Sequence, residues 1–397
     1  MPYVVSSSFE NFGKSVQTFK LIATMAFLWE LTDLRKTTEM NVRTTRSLLV
    51  LFLCGFVIAG SATSHAAAAL IRKRCAFDLG SGETKVSAAE VSSAEPSLRI
   101  AKLMAKIIPL PFVKRFQNGV IPDFFIEEAI AKINELKREC EAVGAREYSG
   151  VATAGFRMAR NGHEALAKIS QKTKIPLQLI TAEKEAVLAF LAATSALGSN
   201  GKNLVVWDIG GGSLQFSMGA DDPHRNFVIS TGHEGVELFR RQIAKRFNRG
   251  TAQTVNPLSQ EEMTGAIELA KELSHAVNPQ IRERLRRSRR SRMRIVGLGS
   301  VHTESLPMQA GLQTKLAFNV YTLEAVRAAA KRAANTSDQD FRNAYPENKY
   351  PESQATNVAL VLGYMEGLQI KEVVPLEVTL ADGLLADATY WPKEQLR

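Results

Sequence analysis

The feature that most restricts what this chain can become is a repeated segment. Cys75-Ala76-Phe77-Asp78-Leu79-Gly80-Ser81-Gly82-Glu83-Thr84-Lys85-Val86 is echoed by Leu204-Val205-Val206-Trp207-Asp208-Ile209-Gly210-Gly211-Gly212-Ser213-Leu214-Gln215-Phe216, with the two aspartates 130 positions apart. Each copy runs an apolar strand into an Asp, then a Gly-rich turn, then an alternating second strand, which is the signature of a β-hairpin. Glycines in such turns tolerate positive φ and leave backbone N–H groups open to an anion. An Asp at the end of a buried strand cannot ligate phosphate, but it suits a cation or a water bound to one. Taken alone, either copy is an ordinary Gly-rich turn. Two copies with the same Asp-to-Gly spacing imply two facing loops that clamp a chain of phosphates.

The intervening pattern is that of an α/β protein. Helical spacing of Ile126, Ala129, Ile130, Ile133 and Leu136 predicts a helix over 126–141 that stops before Gly144. A strand over 147–154 runs into Thr153-Ala154-Gly155-Phe156-Arg157, a helix over 161–173 stops before Pro176, and a strand over 177–180 leads to a helix opening at Ala182-Glu183-Lys184-Glu185-Ala186. The second half repeats this more loosely. It has a strand over 226–230, helices over 236–247 and 260–285, and a strand over 293–296 feeding a third Gly-bearing turn, Gly297-Leu298-Gly299-Ser300-Val301-His302. Helices over 323–334 and 357–368 follow, and 372–380 closes the chain before Ala381-Asp382-Gly383.

A length of 397 residues exceeds one ordinary core, and a composition of 45% hydrophobic and 23% charged residues excludes a disordered chain or a fibre. The formal charge of +10 favours acidic partners without choosing among phosphate polymers, nucleotides, nucleic acid and anionic membrane. From Met40, the basic Arg43 and Arg46, an apolar run from Leu48 to Ala59 and the small-residue series ending Ser64-His65-Ala66 have the order of a secretory signal peptide. Residues 40–66 are read as that signal, cleaved rather than kept as an anchor, and 1–39 as lying outside the mature protein. Cys54 falls within the signal, leaving Cys75 in a buried strand and Cys140 at a helix end. An oxidising compartment permits their pairing. Strict disulfide geometry favours two separately packed thiols.

The ordered motifs resemble the Ppx/GppA family of exopolyphosphatases and guanosine pentaphosphate phosphatases, a branch of the sugar kinase, heat-shock cognate and actin superfamily. The family's Asp-Ile-Gly-Ser-Asn-Ser stands here as Asp78-Leu79-Gly80-Ser81-Gly82-Glu83, and its Thr-Ala-x-x-Arg as Thr153, Ala154 and Arg157. Its Glu-Glu-Ala matches Lys184-Glu185-Ala186, and its Asp-Ile-Gly-Gly-Gly-Ser-Thr-Glu matches Asp208-Ile209-Gly210-Gly211-Gly212-Ser213-Leu214-Gln215. A Gly-Thr-Val turn corresponds to Gly299-Ser300-Val301, and a closing Leu-Arg-Glu-Gly to Leu380-Ala381-Asp382-Gly383. The resemblance runs from about Arg74 to Tyr390.

It implies two actin-like (ribonuclease H-like) α/β domains, 73–192 and 193–391, with a cleft between them that hydrolyses phosphoanhydride bonds of polyphosphate or a phosphorylated nucleotide. Phosphate-binding positions carried over are Gly80, Ser81, Gly82, Thr153, Gly210, Gly211, Gly212, Ser213, Gly299 and Ser300. Asp78 and Asp208, with Gln215 as a weak third, would serve Mg²⁺ or another divalent cation. Glu185 would activate water and Arg157 would neutralise phosphate charge. The chain departs from the family where Gln215 replaces a glutamate, Gly82-Glu83 replaces Asn-Ser and Lys184 replaces an acid; an inward-pointing Glu83 would compensate for the lost carboxylate.

A solvated helix-start acid and a surface arginine are the plain alternatives for Glu185 and Arg157. For the whole protein, a polyphosphate- or nucleotide-binding sensor without turnover stands beside the hydrolase. An ATP-driven actin-like polymer ranks lower, because the Arg157 and Glu185 motifs belong to the hydrolase branch. His233 and His302 have no second His or Cys at a zinc-like spacing. The run Arg282, Arg284, Arg286, Arg287, Arg289, Arg290, Arg292 and Arg294 reads as a solvated helix end or as a polyanion-docking patch. The expected partners are the phosphate substrate and, in a homodimer, a second copy. No specific nucleic acid is expected, and membrane only through the signal. Export to a bacterial periplasm weighs toward polyphosphate or a cell-envelope phosphate.

Overall fold

The computed structural model describes residues 71–92, 99–220, 227–250, 254–287, 293–311 and 320–391. Residues 1–39, the segment 40–66 read as a signal, with Cys54, and Arg289, Arg290 and Arg292 lie outside the described residues, as does the side chain of His233.

The first hairpin, β1 (Ile71–Leu79) and β2 (Glu83–Ser92), is joined by β3 (Arg99–Pro109), β4 (Glu147–Ala152) and β5 (Leu177–Leu179) in a sheet ordered β3-β2-β1-β4-β5. The second hairpin, β6 (Leu204–Ile209) and β7 (Ser213–Gly219), is joined by β8 (Phe227–Glu234), β9 (Arg294–Leu298), β10 (Tyr321–Thr322) and β11 (Glu372–Pro375) in a sheet ordered β10-β11-β9-β6-β7-β8. In both sheets the hairpin's first strand has an antiparallel partner on one side and a parallel one, β4 or β9, on the other. The repeat therefore extends from the turn to the sheet topology.

The helices of the first half are α1 (Asp123–Ala142), α2 (Ala154–Met158), α3 (Gly162–Thr173) and α4 (Ala182–Leu197). Those of the second are α5 (Val236–Arg246), α6 (Gln260–Ser274), α7 (Pro279–Arg287), α8 (Leu306–Gln309), α9 (Leu323–Ala333), α10 (Asp338–Ala344), α11 (Gln354–Gly367) and α12 (Leu380–Ala386). Asn278-Pro279 splits the helix expected over 260–285 into α6 and α7. Proline has no N–H for a helix interior but fits the first helical position, and the Asn278 side chain caps the new start by accepting from Gln280 N–H at 2.9 Å.

Strand periodicity sorts the core. In β1, Cys75, Phe77 and Leu79 pack with α1 and α3, whereas Ala76 points the other way, into a cluster with Leu188 and Ala189 of α4 and Leu384 and Leu385 of α12. In β6, Val205, Trp207 and Ile209 pack with residues of α5, α6 and α11, whereas Leu204 and Val206 join that same central cluster. Helices α4 and α12 are thus a layer shared by both sheets. Because alternate residues share a face, Asp78 lies on the side of Ala76 and Asp208 on the side of Val206. Both aspartates emerge into the space between the sheets. Trp207, fully buried and stacked on Phe216 at 5.2 Å, anchors β6 from behind; burial of a large apolar side chain contributes roughly 1.5–3 kcal/mol.

Two features depart from the sequence reading. Cys75 and Cys140 form a disulfide rather than two separate thiols: Cys75 sits on the α1 face of β1, the last full turn of α1 carries Cys140, and their Cα atoms lie 6.1 Å apart. Strand β3 had no counterpart in the sequence reading because most of its residues are solvent-exposed, so no apolar alternation marks it.

Candidate active site

Both hairpin turns are closed by the same bond. Gly80 N–H donates to the Glu83 carbonyl at 2.9 Å, and Gly210 N–H donates to the Ser213 carbonyl at 2.9 Å. Neighbouring segments then hold the turns in place. Leu110 and Val113 donate to the carbonyls of Gly82 and Ser81, each at 3.1 Å, while Val236 and Glu237 donate to those of Gly210 and Gly211 at 3.1 and 2.8 Å. With these carbonyls tied back, both turns line one cavity of about 480 Å³. The turns nearly touch: a Cβ on Gly212 would stand 2.8 Å from Ser81 Oγ and 2.9 Å from Ala154 Cβ, so this approach requires glycine. Gly299 forms the third turn with φ +87°, and a Cβ there would meet the Ile209 carbonyl oxygen at 2.3 Å.

Nearly all the expected site residues meet at this cavity. Asp78, Gly80, Ser81, Gly82, Thr153, Glu185, Asp208, Gly210, Gly211, Gly212, Ser213, Gly299 and Ser300 line it. Arg157 and Gln215 are not among the lining residues. Arg157 stands behind Glu185, donating to its Oε2 at 2.8 Å and to the Ile180 carbonyl at 2.8 Å. Glu185 is buried, and its other oxygen accepts from Ser213 Oγ of the second turn at 3.0 Å. Arg157 therefore positions the carboxylate instead of offering an open fork to phosphate. Gln215 is buried opposite Asp208 in the β6–β7 register, and both its amide atoms lack a partner.

The charge balance of the cavity is unexpected for a site facing an anion. Its lining carries eight carboxylates against four lysines, although the whole chain is +10. Burial raises the pKa of Asp78 despite the Lys85 ammonium 3.4 Å away, and burial likewise raises Glu185 against the pull of Arg157. Asp208 is pushed up to about 7, first by burial and then by Glu185 and Asp78, with Lys85 opposing. Burial alone disfavours the Lys85 ammonium, but Asp78, Glu83 and Asp208 outweigh it and its pKa rises.

Residues 113–389 match the Ppx/GppA phosphatase family. The chain belongs to this family. Among curated relatives, exopolyphosphatase 1 of Mycobacterium tuberculosis is 32% identical over 105 residues, which is 26% of this chain and 30% of that protein. The bifunctional 3-dehydroquinate synthase/phosphatase of Fusobacterium nucleatum is 28% identical over 153 residues, 37% of this chain and 23% of the relative. The matched segments thus span under a third of those relatives' lengths. The fold is also that of the Aquifex aeolicus Ppx/GppA protein (TM-score 0.62, 20% identity, covering 80% of this chain and 97% of that one). An exopolyphosphatase from Cytophaga hutchinsonii agrees as well (TM-score 0.62, 13% identity, covering 79% and 96%). The mixed α/β fold with two sheets found here is thus shared with Ppx/GppA structures of the two-domain, actin-like kind.

A divalent cation of the kind the family fold implies suits the donors present. Asp78 Oδ1 is buried without a partner, and hard oxygen donors suit Mg²⁺. Among the described residues no three His, Cys, Asp or Glu side chains converge as a ligand set. Asp78 and Asp208 would therefore hold the ion together with water and phosphate oxygens, the usual habit of Mg²⁺. Glu83 does point inward: it lines the cavity, is 9% exposed and accepts from the Tyr350 hydroxyl at 3.4 Å.

Several participants escaped the sequence reading. Lys85 had a signal: it pairs in register with Asp78 as Gln215 does with Asp208, seven positions after each aspartate. Tyr350, Glu304 and Glu237 had none, since they reach the cavity from remote segments. His302 belongs to the core, buried against Trp207 at 4.7 Å and hydrogen-bonded to Tyr321, its pKa lowered to about 3 by burial. Of the arginine run, Arg286 and Arg287 are exposed and pair with Glu283. Arg294 opens β9 at the end of the sheet away from Gly299, and none of the described arginines of the run lines the cavity.

The Asp208 shift predicts a pH signature. Its folded pKa of about 7 exceeds the ordinary 3.8, so the fold favours the protonated form. The resulting stabilisation is full below 3.8 and is lost as pH rises through about 7. Thermal unfolding in metal-free buffer should show wild type losing stability across this window and Asp208→Asn losing much less; superimposable pH profiles would contradict the assignment.

Proposed function

We propose that the protein hydrolyses phosphoanhydride bonds, with water attacking the terminal phosphate of a chain held between the two glycine turns. The observation that carries this reading is the placement of Glu185. It is a buried carboxylate on the cavity wall, with one oxygen fixed by Arg157 and the other by Ser213 of the second phosphate loop. Its raised pKa brings it nearer the neutral range in which a general base is most effective. A water between Glu185 and the terminal phosphorus would give its proton to the carboxylate as the new P–O bond forms. The bridging P–O bond then breaks, and the bonding pair leaves with the shortened chain. Backbone N–H groups of Ser81, Gly82, Gly211 and Gly212, with the Lys85 ammonium, would balance the negative charge on the phosphate oxygens. When bound, Mg²⁺ would supply the further positive charge that eight cavity carboxylates make necessary.

Polyphosphate is favoured over a nucleotide by the walls. Among the described lining residues Tyr350 is the one aromatic, and the Lys114 ammonium already lies over one face of its ring at 5.0 Å, so a stacking base would have to compete with it there. Export is supported by the Cys75–Cys140 disulfide, since such bonds persist in oxidising compartments, and by the signal-like order of residues 40–66.

Two outcomes are expected. General-base assistance is typically worth about 10² to 10⁴ in rate, so Glu185→Gln should lose most phosphate release while retaining affinity for polyphosphate. Asp208→Asn should weaken Mg²⁺-dependent binding itself, and Gln215→Glu should raise activity if metal capture limits it. Single-turnover release beside direct binding separates these effects. Binding by wild type with no turnover on any polyphosphate or nucleotide, with any divalent metal, would instead favour a sensor. For localisation, protein recovered from fractionated cells should be extracytoplasmic, begin near Ala67 and carry the disulfide; a cytoplasmic species with both thiols free would oppose export.

A further inference from the structure

Lys114 sits in a single 3-10 turn, Val113–Arg115, that is fastened to the first phosphate loop through the Val113 N–H bond to the Ser81 carbonyl at 3.1 Å. Behind it Phe112 is fully buried, with its ring 5.2 Å from Phe125 and 4.6 Å from Phe156. Across the cavity Glu237 lies in the first turn of α5 and is fastened to the second phosphate loop through its own N–H bond to the Gly211 carbonyl at 2.8 Å. The Lys114 ammonium spans this gap. It lies 3.8 Å from Glu237, 2.5 Å from Glu352 and 5.0 Å from the centre of the Tyr350 ring. Tyr350 in turn donates to Glu83, which ends the first turn. Lys114 and Glu237 are thus each held by a backbone bond to one of the two loops, and Glu352 belongs to the Pro351–Ser353 turn packed against α5, so the distance from Lys114 to these two acids follows the separation of the loops.

We propose that Lys114 is a positioning residue that draws the two phosphate loops together through Glu352 and Glu237. The proposal goes beyond the hydrolase reading and does not depend on it, because it concerns the ligand-free protein. The chemistry fits a reversible clamp. Lys114 is 38% exposed and Glu352 is 20% exposed, so the pairing is screened by solvent and stays weak enough for the cleft to open and admit a chain. The Arg157–Glu185–Ser213 contacts lie deeper, and they link the same two halves at the reaction centre. Lys114 acts at the rim.

The test uses spin labels on cysteines introduced at exposed Lys132 of α1 and Glu268 of α6, read by pulsed dipolar distance measurement in the full chain without ligand. Lys114→Met and Glu352→Gln should each shift the population toward longer distances, and Lys114→Arg should keep it near wild type. Lys114→Glu should open the cleft further, with Glu352→Lys added to it restoring the shorter distance. In phosphate release, Lys114→Met should lower kcat/KM by about two- to fivefold, the size expected for a half-exposed ion pair, with the swapped pair recovering it. Distance distributions that do not respond to Lys114→Met and Glu352→Gln, or a charge swap as open as Lys114→Glu alone, would overturn the proposal, whatever the activity shows.

Discussion

The structure depends on holding several carboxylates together where water is scarce. Strand parity in β1 and β6 turns Asp78 and Asp208 into the same space between two sheets, and α4 adds Glu185 to it. Burial makes all three resist ionisation, and repulsion adds to it, from Glu83 at Asp78, from Asp78 at Glu185 and from both Glu185 and Asp78 at Asp208. Such a cluster persists only with compensating charge. Lys85 and Arg157 supply part of it from within the chain, each bound to one acid. On the proposed reading the remainder comes with the ligand, a phosphate chain accompanied by a cation rather than an anion alone.

That charge arrangement explains why the architecture around it is stiff. The turns themselves are glycine-rich and would wander if left free, but their carbonyls are taken by Leu110, Val113, Val236 and Glu237. Trp207 and its aromatic neighbours brace β6 from the outer face, and the Cys75–Cys140 bond ties β1 to α1 three residues before Asp78. The middle layer of α4 and α12 does a different task. Packed against both sheets, it carries Glu185 at its cavity end and, through Asp382, accepts from Ser87 Oγ of β2 at 2.8 Å and pairs with Lys102 of β3 at 2.8 Å. Helix α12, the last α-helix among the described residues, thereby returns to the sheet of β1, β2 and β3.

How much of this could be read from sequence depended on whether the signal was local. The hairpins were legible because glycine, Asp and strand alternation are dense within a dozen residues, and the repeat supplied its own control. Helix α1 was legible from apolar spacing, although Asp123 starts it three residues earlier than that spacing suggested. Arg157 and Glu185 were both singled out, yet their contact was not, because they are 28 positions apart and only the turn from α2 to β5 to α4 brings them together. The rim residues Lys114, Glu237 and Tyr350 were invisible for the same reason, their role being defined by what they face across the cleft, whereas strand β3 was missed because its exposed residues carry no apolar alternation. The disulfide was misjudged because helix length and strand register jointly decide whether two thiols meet.

On the proposed reading, the two duplicated turns and their aspartates form one metal-phosphate site. The most direct measurement is a crystal structure with a non-hydrolysable phosphonate analogue of polyphosphate and Mn²⁺, located by its anomalous scattering. Phosphonate oxygens are expected on the backbone N–H groups of both turns, with the manganese peak within ligand or water-bridged distance of Asp78 and Asp208. An analogue bound outside the cavity, or one bound between the turns with manganese absent from both aspartates, would contradict it.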